Sequence, residues 1–293
     1  MQILQIKQTD NKYPQNLLKI KDCPKKLYAL GDINLLNKKS ILAIVGSRKC
    51  SEYGRQVANE FAKELSKQDI TIISGMALGI DSASHIGAMS EQGKTIAVLG
   101  CGLNYIYPKE NEWLFYKILS NGGCIITEYK ENIEPNTSNF PKRNRIISGI
   151  AKSVLVVEAE HRSGSTITAN YAKQQGKTVY AIPNNIYINT GIGTNKLIQN
   201  GANLVTKPSQ IKKDFVQKFN NQKPSQVNSS KLISKIPQEY VKIYSILEKG
   251  PMHINEIAKQ QEKSLSELNA IMVIMEIEGY IQRLNSNIYK RKE

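Results

Sequence analysis

Short apolar runs rich in β-branched residues alternate with amphipathic stretches from residue 40 to about residue 206. In the stretch Gly54–Gln68, for example, Val57, Phe61, Ala62 and Leu65 share one face of a helix. Apolar strands joined by helices are typical of a parallel sheet that is covered on both faces. The pattern therefore predicts an α/β fold with a mostly parallel sheet. Its strands are predicted at Ile41–Val45, Ile70–Ser74, Thr95–Leu99, Cys124–Glu128, Val154–Glu158, Thr178–Ile182 and Asn203–Thr206.

Three further regions surround this core of residues 40–208. Residues 1–39 contain turn signals and scattered apolar positions, and we expect them to form an N-terminal extension that packs on the core. Residues 209–235 carry few large apolar side chains and many polar ones, which predicts a flexible linker. Residues 236–293 are expected to form a second, smaller domain.

The C-terminal domain has the pattern of three short helices followed by a hairpin. The ribbon turns at residues 285–287, and the helices are predicted at Gln238–Glu248, His253–Gln260 and Leu265–Glu278. This is the outline of a winged helix-turn-helix. The third helix carries three glutamates with only Lys263 nearby, so it is too acidic to read duplex DNA. We expect this domain to mediate protein contacts or to assist DNA binding weakly.

Composition and charge narrow the class of protein. The 293 residues include 40 Lys and Arg against 25 Asp and Glu, a formal net charge of +15. Such a charge attracts polyanions, most often nucleic acid, although a Lys-rich solvated surface is an alternative explanation. The four cysteines form no CxxC pair, which argues against a zinc site and for a reducing compartment. We expect a cytoplasmic protein without a membrane partner, because neither a spanning segment nor a signal peptide is found.

Turn-forming and anion-binding residues follow the predicted strands. Ser47 and Arg48 come after the first strand, and Ser74, Gly75 and Gly79 come at and after the end of the second. Ligands of open α/β sheets bind at the carboxyl ends of the strands, where glycine turns before helices admit a phosphate. Each motif alone is also compatible with an ordinary strand-to-helix turn. Together they predict an anion site at this edge of the sheet.

The densest group of candidate residues lies at 139–147. It places Phe140, Lys142, Arg143 and Arg145 at the start of a predicted helix. Cations and an exposed aromatic ring at a helix start suit phosphates and a stacked base. Further candidates for nucleic-acid contact lie at other strand ends and helix starts: Lys109, Gly164, Ser165 and Asn195.

Part of this group also has a structural interpretation. Arg145 is expected to tie the sheet edge to Asp81 or Glu158, and Lys142 is expected to be the more exposed cation. His85, a single His on an apolar helix face, is expected to be packed rather than catalytic.

Cofactor and catalytic motifs are not fulfilled. The run after the third strand begins like a dinucleotide fingerprint but has Tyr105 where the third glycine belongs. Two tripeptides that resemble the end of a Walker A motif lack the upstream glycine and precede strands instead of following them. Neither a nucleophile with its base nor a metal-ligating cluster emerges. We therefore expect no cofactor, no metal and no catalytic residue, which favours binding over catalysis.

Six motifs in register resemble those of the DNA-processing protein DprA (Smf) family. The resemblance runs from about Tyr13 to Thr206 and rests on Val45–Arg48, Ser74–Asp81, Val98–Leu103 with Tyr107-Pro108, Phe140–Ile147, Val156–Ala159 and Ser163–Ala169. It implies an extended Rossmann-like core and a C-terminal winged-helix domain. It further implies single-stranded DNA as ligand, a homodimer, and loading of RecA recombinase onto incoming strands during natural transformation.

The resemblance also implies the position of the DNA pocket. It places the family's basic residues on Arg48, Lys109, Lys142 and Arg143, with Phe140 a candidate for contact with a base. The chain departs from the family pattern in loops that leave this pocket intact: Ser84, Asn184 and Gly191.

Two other functions remain open from the sequence. A Rossmann-like nucleoside monophosphate phosphoribohydrolase would use Glu158 as catalyst and Ser165 as phosphate binder. That class carries a Gly-Gly-x-Gly-Thr run with a downstream Glu, which Ser163–Asn170 lacks. A transcriptional regulator would act through the winged helix, whose acidic third helix speaks against it.

Overall fold

The computed structural model describes residues 2–91, 93–161, 163–216, 237–261, 264–278, 280–285 and 287–291. The chain divides into two compact units, Met1–Phe219 and Asn220–Glu293. The N-terminal unit contains a sheet whose strands are β1 Leu4–Lys7, β2 Lys26–Gly31, β3 Ile41–Val45, β4 Thr71–Ser74, β5 Thr95–Val98, β6 Cys124–Thr127, β7 Ser153–Val156, β8 Thr178–Ala181 and β9 Asn203–Leu204. Strands β3 to β9 confirm the predicted strands to within two residues at each end.

The strand order of this sheet is β1-β2-β6-β5-β4-β3-β7-β8-β9. Strands β3 to β9 are parallel to one another, as the continuous apolar runs predict. Alternate residues of β3 enter different cores, since Ala43 belongs to the apolar cluster on one face and Ile44 to the cluster on the other. The predicted α/β fold with a mostly parallel sheet covered on both faces is confirmed.

Residues 1–39 contribute strands that the sequence pattern did not reveal. Strand β2 pairs antiparallel with β1 on one side and with β6 on the other. In β1 only Ile6 is buried, so its short run gives little alternation to detect. In β2 the buried run Leu27–Leu30 lies between two lysines and Gly31, which is a usable strand signal.

The helices of this unit cover both faces of the sheet. They are α1 Glu52–Ser66, α2 Ile80–Met89, α3 Glu112–Ser120, α4 Asn139–Ile150, α5 Gly164–Gln174, α6 Asn189–Gln199 and α7 Pro208–Val216. Helix α7 corrects the predicted linker, which was expected to begin at residue 209. Its Ile211 and Phe215, four positions apart on one face, are buried in the core beside α1. The remainder of the predicted linker lies outside the described residues.

The sheet reverses its strand order between β3 and β7. Strand β3 pairs in parallel with β4 on one side and with β7 on the other. The chain then proceeds outwards in opposite directions, through β5 and β6 on one side and β8 and β9 on the other. Such a switch point opens a crevice beyond the carboxyl ends of the two central strands.

The C-terminal unit contains three helices and three short strands in the part that the structure describes. They are α8 Gln238–Ile246, β10 Met252–His253, α9 Ile254–Gln261, α10 Leu265–Ile277, β11 Ile281–Asn285 and β12 Ile288–Arg291, with sheet order β10-β12-β11. The helices and the hairpin follow the predicted pattern, whereas β10 was not foreseen. Ser264 begins α10 with a capping box to Glu267. The winged-helix assignment stays a prediction.

The described residues also bear on membrane spans, metal sites and disulfides. None of the helices there is both long and apolar enough to cross a membrane. The same residues hold no group of three or more His, Cys, Asp or Glu placed to bind a metal ion. The four cysteines are not in disulfides, and burial raises the pKa of the Cys101 thiol to about 11.

Candidate nucleic-acid interface

A cavity of about 510 Å³ lies at the switch point of the sheet. It is bounded by the loop after β3, the start of α4 and the start of α5, from which Arg48, Phe140 and Ser165 line it. A smaller cavity of about 70 Å³ adjoins it, with Arg48, Phe140 and Arg143 in the shared wall and Tyr107 on its far side. The position agrees with the edge at which the sequence predicts an anion site.

Three side chains from separate parts of the chain, Arg48, Tyr107 and Phe140, stack beside the two cavities. The Arg48 guanidinium carbon lies 5.2 Å from the centre of the Phe140 ring. The Tyr107 ring stacks on Phe140 at 5.3 Å between centroids and 28° between planes. Phe140 is seated against Gly100, where an added Cβ would lie 2.7 Å from the ring. Sequence reasoning did not include Tyr107 among the site residues, although its place two positions before Lys109 was a signal.

Arg143 is buried in the wall of the cavity, with only 4% of its surface exposed. Its Nη1 donates to the backbone oxygens of Gly75, at 2.8 Å, and of Val98. The Asp81 carboxylate accepts from the backbone N–H of Gly75 at 3.1 Å and attracts the guanidinium. Burial raises the pKa of Asp81, and the Arg143 charge opposes that rise. Arg143 therefore joins the ends of β4 and β5 while it also lines the cavity, and the DNA contact expected of it stays a prediction.

The Arg143 guanidinium and the Asp81 carboxylate leave no room for a side chain at Gly75. A Cβ there would lie 2.7 Å from both the Arg143 guanidinium and the Asp81 carboxylate. A side chain at position 75 would therefore collide with the Arg143–Asp81 pair, while the phosphate contact expected of Gly75 stays a prediction.

Arg145 has a different partner from the ones predicted. Its Nη1 and Nη2 each donate to an oxygen of Glu128 at 2.6 Å, and its Nε donates to the Asp22 backbone oxygen at 2.9 Å. The expected link to Asp81 or Glu158 is therefore wrong, and Arg145 instead fastens α4 to the end of β6 and to the N-terminal segment. The guanidinium of Arg145 is thus paired with Glu128, and the DNA contact expected of Arg145 stays a prediction.

Three other predicted site residues are used within the fold. Ser74 is fully buried and donates to the Ile44 backbone oxygen at 2.6 Å. Gly79 has φ +79°, and a Cβ there would lie 2.3 Å from the Ser47 backbone oxygen, so it permits α2 to pack on the loop after β3. Asn195 accepts from the backbone N–H of Asn184 at 3.0 Å and donates to its oxygen at 2.9 Å. The DNA contacts expected of these three residues stay predictions.

The remaining predicted residues are exposed or line the cavity. Arg48, Lys109 and Lys142 are exposed, and Ser47 lines the cavity while its Oγ accepts from the Lys49 backbone N–H. Gly164 and Ser165 form the first turn of α5, which also lines the cavity. The free N–H groups and the dipole of a helix start favour an anion there. The cavity thus combines cations, an aromatic stack and a helix N-terminus.

Glu158 and His85, which could suggest catalysis, are both buried and hydrogen-bonded within the fold. The buried Glu158 carboxylate accepts from the Ser51 backbone N–H at 2.9 Å and from Asn184 Nδ2 at 3.3 Å, which secures the start of α1. His85 is fully buried as predicted, and burial lowers its pKa to about 3. Thr95 Oγ1 donates to the Ile72 backbone oxygen and lies 2.7 Å from His85 Nδ1, so the neutral imidazole donates to it.

Comparison with known proteins matches the sequence and the fold to one family. The family described as DNA recombination-mediator protein A matches residues 5–216. Protein Smf of Escherichia coli is 44% identical over 199 residues, which are 68% of this chain and 53% of that protein. DNA processing protein DprA of Streptococcus pneumoniae is 40% identical over 206 residues, which are 70% of this chain and 72% of that protein. The chain therefore spans about half the length of the Escherichia coli relative.

Two solved structures share the fold of the N-terminal unit. That of DprA from Streptococcus pneumoniae has a TM-score of 0.69 at 39% identity and covers 73% of this chain and 75% of that one. That of DNA processing protein A from Helicobacter pylori, a study of its single-stranded DNA binding mode, has a TM-score of 0.67 at 30% identity, with coverage of 74% and 97%. The chain belongs to the DNA recombination-mediator protein A family, whose members carry the names DprA and Smf.

Proposed function

We propose that the protein binds single-stranded DNA in the cavity at the switch point and acts in DNA recombination. The observation that carries the proposal is the Tyr107–Phe140–Arg48 stack beside a cavity that the N-terminus of α5 also lines. Aromatic rings and guanidinium planes stack on any base, and the helix start and the exposed cations bind phosphates. Family membership and the structure of the Helicobacter pylori relative support the same ligand.

The shape of the site favours a single strand over a duplex. A cavity of about 510 Å³ has room for an unstacked nucleotide. A duplex keeps its bases paired and stacked, so it offers the cavity only its phosphates. Little sequence preference is expected, because phosphates and the faces of bases are common to all sequences.

Binding of fluorescent oligo-dT and of a matched duplex tests this proposal. Arg48→Ala combined with Lys142→Ala should weaken binding of the single strand at least roughly tenfold, since Arg48 lines the cavity and Lys142 is an exposed cation next to the lining residue Pro141. Lys38→Ala with Lys94→Ala is the matched control, because these lysines precede β3 and β5 and lie at the opposite edge of the sheet. Equal affinity for duplex, or unchanged affinity of the Arg48 and Lys142 variant, would refute the proposal.

We further propose RecA recombinase and a second copy of the chain as partners, in loading of RecA onto strands taken up during natural transformation. Family membership supports this role. Light scattering of the purified chain should give twice the monomer mass. The protein should also speed formation of RecA filaments on DNA coated with single-strand-binding protein. A monomer, or filament formation at an unchanged rate, would contradict the respective proposal.

We propose that the site binds without catalysis. The Glu158 carboxylate that a phosphoribohydrolase would need is buried and engaged with Ser51 and Asn184. Incubation with AMP should release no adenine above a buffer control. Release of free base that Glu158→Gln abolishes would establish the enzymatic alternative.

A further inference from the structure

Helix α3 presents large aromatic side chains to solvent. Trp113 is 51% exposed and Tyr116 57% exposed. The opposite face of the helix is occupied by Leu114, Phe115 and Ile118, which are buried in the core. The two exposed rings are therefore not needed to hold α3 on the sheet.

Basic side chains accompany these rings. The Lys117 ammonium lies 5.8 Å from the centre of the Trp113 ring. Lys109, Trp113 and Lys117 are spaced four positions apart and all are exposed, so they follow one another along the outer side of the turn and the helix. Glu110 and Glu112, which are also exposed, follow Lys109 and precede Trp113 in the sequence.

This line of side chains begins next to the Tyr107–Phe140–Arg48 stack. Tyr107, at the outer end of the Tyr107–Phe140–Arg48 stack, is followed at once by Pro108 and by the short turn Lys109–Asn111, which leads into α3. Aromatic rings alternating with cations form the usual track for single-stranded nucleic acid. The exposed face of α3 is thus continuous with the proposed DNA site and has the same chemistry.

We propose that α3 is a second contact for single-stranded nucleic acid, in which a base stacks on Trp113 while Lys109 and Lys117 neutralise the flanking phosphates. The inference rests on the proposed function, since it extends the strand outwards from the cavity. With a rise of about 1.5 Å per residue, α3 is roughly 13 Å long. A stacked strand rises about 3.4 Å per nucleotide, so the helix accommodates about four nucleotides. Short oligonucleotides fill the cavity alone, and longer ones also reach α3.

Trp113 reports on this contact directly, because it is the only tryptophan in the sequence. Oligo-dT of about 20 nucleotides should quench its fluorescence on binding, and oligo-dT of about 4 nucleotides should not, since only the longer strand stacks on the indole. Fluorescence anisotropy of labelled oligonucleotides follows binding in the same samples. Binding of the long oligonucleotide without quenching overturns the inference but leaves the proposed function intact. Absence of any binding overturns the proposed function itself.

Substitutions give the second readout. Trp113→Ala should lower affinity for the long oligonucleotide roughly 5- to 100-fold, the effect of losing one stacked base, and leave the short one unchanged. Lys117→Gln should weaken only the long oligonucleotide and reduce its salt dependence, whereas the control Lys94→Gln should change neither. Equal losses for both lengths, or none, contradict the inference. Thermal unfolding by circular dichroism verifies that each variant is folded.

Discussion

Arg143 and Arg145 lie two positions apart on α4 but have different partners, because they lie on different faces of the helix. Arg143 lies four positions before Ile147, on the buried face of α4, and its charge meets Asp81 and two strand-end carbonyls. Arg145 lies on another face and pairs with Glu128. The spacing of Arg143 and Ile147 was readable in the sequence, so the inward position of Arg143 could have been predicted. The partners could not, because they come from loops far away in the chain.

Arg143→Ala should destabilise the protein strongly. The variant leaves the buried Asp81 without the charge that offsets it, which typically costs about 3–5 kcal/mol of unfolding free energy. Urea unfolding followed by circular dichroism measures the loss. Lys142→Ala, at the exposed neighbouring position, is the control and should stay within about 0.5 kcal/mol of the parent protein. Equal stability of the two variants would show that the Arg143 contacts do not support the fold.

His85 should make the protein less stable in acid. Its pKa in the folded protein is about 3, below the ordinary value of 6.5, so between these pH values the unfolded chain binds a proton that the folded one does not. The unfolding free energy therefore falls as pH drops from 6.5 towards 3, by up to about 1.4 kcal/mol per pH unit. His85→Gln removes this contribution.

Urea unfolding of the parent protein and of His85→Gln, each at pH 7 and at pH 5, separates the contribution of His85 to the unfolding free energy from that of the carboxylates. The parent should lose about 2 kcal/mol more than the variant over this interval. Parallel losses would mean that His85 is protonated in the folded state.

Strands and helices were predictable where their apolar pattern is long and regular. Strands β3 to β8 each contain a buried apolar run, which is why their positions were found. Helix α7 was taken for linker because its two core residues, Ile211 and Phe215, stand among polar ones. The contacts between elements were less accessible to prediction. Gly79, for instance, permits close packing of α2 on the loop after β3. The sequence pattern does not reveal this contact, because only the fold brings the two segments together.

Gly79→Ala tests the packing of α2 on the loop after β3. Gly79 and Gly201 both have positive φ, +79° and +86°, so alanine strains the backbone at both, by about 1 kcal/mol. At Gly79 the new Cβ also meets the Ser47 and Arg48 backbone, whereas at Gly201 nothing lies within 4 Å. Gly79→Ala should thus lose more unfolding free energy than Gly201→Ala and should also weaken DNA binding. Equal losses for the two variants would exclude the steric contact.

Only a small part of the protein's positive charge lies at the proposed DNA site. The net charge is +15, but the residues that line or flank the cavity include only a few of the 40 cations. The family match covers residues 5–216, which lie within the N-terminal unit. DNA binding should therefore depend on a small number of phosphate contacts and not on the net charge.

The salt dependence of the DNA association constant measures the number of phosphate contacts. For single strands the logarithm of the association constant falls with the logarithm of salt concentration by about 0.7 per phosphate neutralised. Lys142→Ala should lower this slope by about 0.7, whereas Lys94→Ala at the opposite edge should leave it unchanged. Anisotropy titrations of oligo-dT across a range of salt concentrations provide the slopes. A similar change in both variants would mean that the overall charge governs binding.

The central position of β3 has a consequence for synthesis of the protein. Strand β3 needs β7 beside it, yet residues 46–152 separate the two in the sequence. At a translation rate of about 5–20 residues per second, this separation lasts on the order of ten seconds. During that time the nascent chain exposes one apolar strand edge at the ribosome. Aggregation is most probable in this interval, and a chaperone that shields the edge of β3 would raise the yield of folded protein.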